Sequence, residues 1–204
     1  MSEVVGISRG VLRQALALLE EDGHIESSPW RGWFVHVDRV SEPKALRSFT
    51  EIAGAKGLRA TSVVVEQVIR TSSIQEAEGL AIAPAASVVQ TTRIRGLDRT
   101  PICVDVSIIP ESRAPGLIDT DLTDASLYST LESVCGVRIV RSDYAVHAEA
   151  ADEANATHLN LIPGDPVLIG EEIAFDLADR PIILGRVVYR CDAYRFEASL
   201  FREA

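Results

Sequence analysis

"GISRGVLRQALALLEEDGHIESSPWRGWFV", residues 6–35, decides how the front of this 204-residue chain folds. Ser8 suits a helix N-cap. Ile7 and Leu12 occupy the two positions that pack across such a cap, and Gly23 stands where a helix ends on a left-handed residue. A helix over roughly residues 9–22 follows. Val11, Leu12, Ala15, Leu16 and Leu19 recur at helical spacing and form its buried stripe, while Arg9 and Arg13, four apart, share an exposed face. "HIESS" and "GWFVHV" around "PWR" predict a β-hairpin.

Beyond it, "DRVSEP" is polar and ends in proline, which places a linker at 38–43 between a small unit, 1–37, and a larger one, 44–204. The larger unit opens with a helical stretch, "KALRSFTEIAGAKG". Strand-like runs follow at "TSVVVEQVIR", "SVVQTTRIRGL", "ICVDVSII", "VRIVRSDYAVHA", "PVLIGEEIAF", "PIILGRVVYR" and "YRFEASLF". Helical pieces lie between them at "SSIQEAEGLA", "DASLYSTLESVCG" and "AADEANATHLN". The short links "DRTP" and "DLADRP" suit antiparallel hairpins. The pattern predicts an α+β domain on a mostly antiparallel sheet, with helices over one face.

Composition narrows the function. No apolar run approaches a membrane span and no basic-then-apolar leader opens the chain, which places the protein in the cytoplasm. A net charge of −10 excludes a nucleic-acid-coating protein; any DNA contact must come from a few positioned groups. Cys103, Cys135 and Cys191 fit no zinc, redox or disulfide framework and are expected as buried reduced thiols. His24, His36, His147 and His158 lack metal spacing. Neither a Gly-x-Ser-x-Gly elbow nor a glycine-rich phosphate loop occurs, so no catalytic residue, metal or cofactor is expected.

A helix that begins Ser-Arg-x-x-x-Arg can carry two guanidinium groups into a major groove, and a wing tip with Arg31 beside Gly32 can reach the neighbouring minor groove. The stretch from Ser8 to Val35 resembles the end of the winged-helix domain of GntR-family transcription regulators, matching at Ser8, Arg9, Arg13, Ala15, Leu16, Leu19, Gly23, Ile25, Arg31, Gly32, Phe34 and Val35. The resemblance implies operator contacts from Ser8, Arg9, Gly10, Val11 and Arg13 on a recognition helix and from Arg31 and Gly32 on the wing. Gly10 and Val11 replace the usual hydroxyl residues, and Trp30 replaces the first wing glycine. The family's first helix and most of its second lie ahead of Ser8, where this chain has only "MSEVVGI"; the winged helix is thus N-terminally truncated. A start codon set too far downstream, a natural truncation of the gene or a shortened chain would each explain this, and the first best accounts for it.

In the larger unit, Arg93 and Arg95 alternate with Ile94 and point from one strand face, which suits a phosphate or carboxylate; a surface pair facing acidic neighbours fits equally. Asp105 within "ICVDVSII" needs a partner or a ligand hydroxyl if it is buried, and the alternation also allows it to face solvent. "LRSFTEIAGAKGLRATSVVV", "TTRIRGLDRTPICVDVSIIP", "SLYSTLESVCGVRI", "EEANATHLNLIPGDPVLI" and "VVYRCDAYRFEASLF" resemble, in order, the UTRA effector domain of the HutC-type subfamily, whose fold is that of chorismate lyase: a mostly antiparallel sheet with flanking helices.

By similarity to sugar-phosphate-sensing members, Ser48, Arg93, Arg95, Asp105, Ser126 and Tyr189 fall near effector-contact positions. Asp105 stands where those members often carry Glu. Ile183 falls where amino-sugar sensors place another acid, which argues against an amino sugar. A small anionic metabolite, either a sugar phosphate or a small carboxylate, remains. The expected protein is a non-enzymatic repressor: a homodimer on palindromic double-stranded operator DNA, released by that metabolite. The alternative is an effector-binding or dimerisation protein that has lost specific DNA binding with its missing helices.

Overall fold

The computed structural model describes residues 9–21, 25–28, 32–35, 40–41, 46–98 and 100–196. The chain divides into two compact units, Met1–Arg39 and Val40–Ala204.

In the first unit, helix α1 (Arg9–Glu21) is followed by strands β1 (Ile25–Ser28) and β2 (Gly32–Val35). The strands form an antiparallel hairpin in which Ile25 faces Val35 and Ser28 faces Gly32. α1 packs against β1. Leu12 and Leu16 of its expected stripe are half-buried, but Val11, Ala15 and Leu19, with Leu18 beside them, are exposed.

The second unit begins with β3 (Val40–Ser41), a two-residue strand that pairs in parallel with β10 (Tyr194–Arg195). The segment expected as a linker therefore contributes backbone pairing to the larger unit. Helix α2 (Phe49–Ala55) starts at a capping box: Ser48 Oγ accepts from the Glu51 amide, and the Glu51 carboxylate accepts from the Ser48 amide. Helix α3 (Ile74–Gly79) repeats the device with Ser73 and Glu76. Helix α4 (Leu127–Cys135) is capped by Ser126 and stops at Gly136, whose φ of 69° is the left-handed conformation glycine tolerates best. Helix α5 (Glu153–Leu159) is capped by Asp152.

Six long strands form one wholly antiparallel sheet: β4 (Ala60–Thr71), β5 (Ser87–Leu97), β6 (Thr100–Pro110), β7 (Ile139–Ala150), β8 (Pro166–Asp176) and β9 (Pro181–Arg190), in the order β4-β5-β6-β9-β8-β7. The expected links at 98–101 and 176–181 do close the β5–β6 and β8–β9 hairpins. Two short 3-10 turns, Glu111–Arg113 and Leu117–Asp119, follow β6. The last expected strand is short, since β10 holds only Tyr194–Arg195, and residues 197–204 lie outside the described residues.

The helices do not gather on one face as the pattern of elements implies. Leu127 and Leu131 of α4 pack with Val89, Ile109, Ala174 and Ile183. Ala156 and Leu159 of α5 pack with Val104, Ile169 and Val188, which alternate to the other side. Both faces of the sheet are apolar over part of their length, and each needs a cover. The cysteines also depart from expectation: Cys103 is buried, Cys135 half-buried and Cys191 exposed, all three free. Cys191 lies in the turn after β9, beyond the sheet's cover.

Candidate functional site

Strand alternation explains the site. Val89, Thr91, Arg93 and Arg95 share one face of β5, and their partners across β6 are Ile109, Ser107, Asp105 and Cys103. One end of this face is apolar and lies under α4; the other is polar and equally buried. Arg93 has 1% of its side chain exposed, Arg95 6% and Asp105 12%. This settles both choices left open by alternation: the arginines are not a surface pair, and Asp105 does not face solvent.

The Arg93 Nη2 donates to Asp105 Oδ2 at 2.6 Å, and Ser107 Oγ donates to Oδ1 at 2.9 Å. Arg95 Nη1 lies 3.7 Å from the same Oδ2. Its Nη2 donates to Thr50 Oγ1 at 2.9 Å, and its guanidinium sits 4.7 Å over the Phe49 ring, a cation–π contact. The first turn of α2 thus holds Arg95 in place. Burial pushes the Asp105 pKa up, yet Arg93, Arg95 and the Ser107 hydroxyl outweigh it and keep the carboxyl below its ordinary value. Burial, reinforced by Arg93, lowers the pKa of Arg95. Burial also raises the Cys103 thiol and the Tyr189 phenol, so both stay neutral.

Among the described residues, buried donors without a partner are Arg93 Nε and Nη1, Arg95 Nε, Ser62 Oγ, Thr91 Oγ1 and, apart from them just past the end of β4, Ser72 Oγ. The first four residues belong to the same face, since Ser62 pairs with Arg95 and Thr91 flanks Arg93. Orphaned donors beside a cation pair have the chemistry of an oxyanion receptor. Tyr189 occupies the row of Arg95 and Cys103 on β9. It stacks on Tyr194 with ring centres 3.7 Å apart, and its hydroxyl accepts from Tyr144 at 3.3 Å. Gly170 makes room, because a Cβ there would collide with the Tyr144 hydroxyl.

A profile described as the UTRA domain matches residues 55–195. The chain belongs to the UTRA-bearing GntR family of transcriptional regulators. It is 28% identical over 200 residues to the transcriptional repressor PhnF of Mycolicibacterium smegmatis, covering 98% of this chain and 81% of that one. It is 28% identical over 196 residues to the repressor NagR of Bacillus subtilis, covering 96% and 80%. The crystal structure of PhnF superposes with a TM-score of 0.80 over 99% of this chain and 89% of that one. The ligand-binding domain of a GntR-family regulator from Bordetella bronchiseptica, 30% identical, superposes at 0.66 over 70% of this chain and 90% of that one.

Of the effector positions assigned to this UTRA domain by resemblance, Arg93, Arg95, Asp105 and Tyr189 lie on one buried sheet face. Ser48 is buried, with its hydroxyl bonded to Glu51 at 2.8 Å as the α2 cap. Ser126 is half-buried as the α4 cap; Asp124, two residues earlier, binds the Ser62 amide at 2.9 Å and ties that helix end to the neighbour of Arg95. Ile183 is wholly buried in the apolar cluster. Thr50, Ser62, Thr91, Ser107 and Tyr144 were missed from sequence. Thr91 and Ser107 were within reach, each two residues from a charged strand residue; the others required the tertiary fold.

In the winged-helix unit, Gly10, Val11 and Arg13 are exposed on α1. Arg9 begins α1 and Gly32 begins β2, while Ser8 and Arg31 lie outside the described residues.

Proposed function

We propose that this protein is a ligand-responsive repressor in which a small anion binds the Arg93–Arg95–Asp105 face and weakens operator binding by the first unit. The observation that supports it most is the buried cation pair with unpartnered donors, which a carboxylate or phosphate group would complete. Ser48, Ser126 and Tyr189 would border the ligand. Arg9 and Arg13 would contact bases or phosphates, with Ser8, Gly10, Val11, Arg31 and Gly32 completing the operator surface. A palindromic operator requires a twofold dimer. No helix among the described residues is long and apolar enough to cross a membrane, in keeping with a cytoplasmic regulator.

Effector binding would act as a coupling free energy of about 1–3 kcal/mol, changing operator affinity roughly 5–150-fold. Fluorescence anisotropy against DNA from the gene's own upstream region and a scrambled duplex, at several salt concentrations, tests this. Specific binding at ~10⁻⁸–10⁻¹¹ M, relieved by a member of an anionic metabolite panel, is the expected result. Equal, weak binding to both duplexes would instead favour an effector-binding protein without operator recognition. That second possibility draws on the exposed Val11 and Leu18 of α1, at 55% and 57%.

A further inference from the structure

β8 and β9 carry one glycine each, Gly170 and Gly185, and both lie on the face that holds Arg93 and Arg95. A side chain from the next strand fills the space above each. Tyr144 of β7 leans over Gly170, and Glu172 of β8 leans over Gly185, where a Cβ would stand 2.7 Å from its Cγ and 3.1 Å from its Oε1. Both side chains therefore lean toward β6, the strand of Asp105. Gly185 is the register partner of Ser107 as well as of Glu172, and Ser107 pairs in turn with Thr91. One polar row, Thr91, Ser107 and Glu172, thus runs beside Arg93 and Asp105, interrupted by the glycine that admits the carboxylate.

The Glu172 carboxylate is held in this pose. Its Oε2 accepts from Ser142 at 3.0 Å and from Tyr128 of α4 at 3.5 Å. Its side chain is half-buried, whereas Thr91 is wholly buried with a hydroxyl that finds no partner. An oxygen above β9 stands about one strand spacing, ~4.8 Å, from Ser107, which itself bonds Asp105. Arg93 reaches the same Asp105 from β5. The face therefore offers cations at one end and a fixed anionic acceptor on the order of one to two strand spacings, ~5–10 Å, away.

Resting on the anion-site reading above, we infer that Glu172 is a specificity-determining residue: it accepts a hydrogen bond from a hydroxyl or ammonium group at the far end of a ligand whose anionic end lies on Arg93 and Arg95. Gly185 is the residue that lets it reach. A carboxylate beside an anion site repels a bare anion, so its favourable use there is to meet a donor carried by the same molecule. Thr91 offers its unpartnered hydroxyl to the atoms between the two ends.

Propyl phosphate, hydroxypropyl phosphate and aminopropyl phosphate, the last two substituted at the terminal carbon, share one phosphate and one chain length and differ only at the far end. Calorimetric titration of the full chain at neutral pH should rank them amino, hydroxyl, propyl, with ~10-fold or more between first and last, the scale of a hydrogen bond to a charged group. Glu172→Gln should shrink that span below about threefold. Propyl phosphate should bind this variant at least as tightly as before, since a repelling charge has gone. Gly185→Ala should also shrink the span although it keeps the carboxylate, because the added methyl group displaces it. A merely structural Glu172 would instead weaken all three esters alike. Equal affinity for the three esters in the unsubstituted protein overturns the role of Glu172 and keeps the anion site. Failure of every ester to bind overturns the anion site on which that role rests. The ranking in the unsubstituted protein decides the matter even if either variant does not fold.

Discussion

Arg93 is wholly buried, and its best partner is a carboxylate that would itself be costly to bury alone. Each ion justifies the other. Arg93→Met should abolish binding of small anions and destabilise the fold by about 3–5 kcal/mol, because Asp105 would be left with Arg95 at 3.7 Å and no short ion pair. Urea titration reads the stability and calorimetry the binding. The depressed pKa of Asp105 also fixes a pH dependence. A carboxylate whose folded pKa lies below its unfolded value lends stability that is complete above about pH 4 and lost as pH falls through the folded value. Denaturation midpoints measured from neutral to acid pH should decline below about pH 4, and Asp105→Asn should remove part of that decline.

Among the elements, α3 is six residues long and cannot stand without its caps. Glu76 closes the capping box on Ser73 and also takes two bonds from Arg70 of β4, at 2.7 and 2.6 Å. Those bonds, Arg70 first, lower its pKa from 4.5 to about 2 despite opposing burial. Glu76→Gln should cost roughly 1–2 kcal/mol at neutral pH. It should also flatten the stability profile between pH 4.5 and 2, the window in which a depressed carboxylate loses its contribution. At β8, Gly170→Ala sets a methyl group against Tyr144. The ring must swing off Tyr189, with an expected loss of about 1–3 kcal/mol and a changed near-ultraviolet tyrosine signal. The capping boxes were open to sequence inspection, since serine precedes glutamate by three residues in both. The Arg70 contact was not, because it joins a strand to a helix through side chains whose approach no local pattern encodes.

At the scale of the whole molecule, a ligand that binds only the folded state should raise the thermal midpoint. At one hundred times its Kd an anion adds about 2.7 kcal/mol, or roughly 5–11 °C for a protein of this size. Thermal melts with methyl sulfate should show that rise, and Arg93→Met should erase it. The strand ladder was legible beforehand because alternation and turn residues act within a few positions: both hairpins expected within the large sheet formed, and β5, β8 and β9 fall within a residue of the runs that announced them. Alternation also put Arg93 and Arg95 on one face, and family resemblance marked Asp105 and Tyr189. Sequence left open whether that face was wet or dry, because period two states which residues share a side and not what covers it. Burial came from α4 and α2 closing over one side of the sheet while α5 closed over the other. Register across four strands then brought Ser62, Thr91, Ser107 and Tyr189 beside the two arginines. Local propensity belongs to neighbours along the chain; a buried charge belongs to whatever long-range packing excludes water around it.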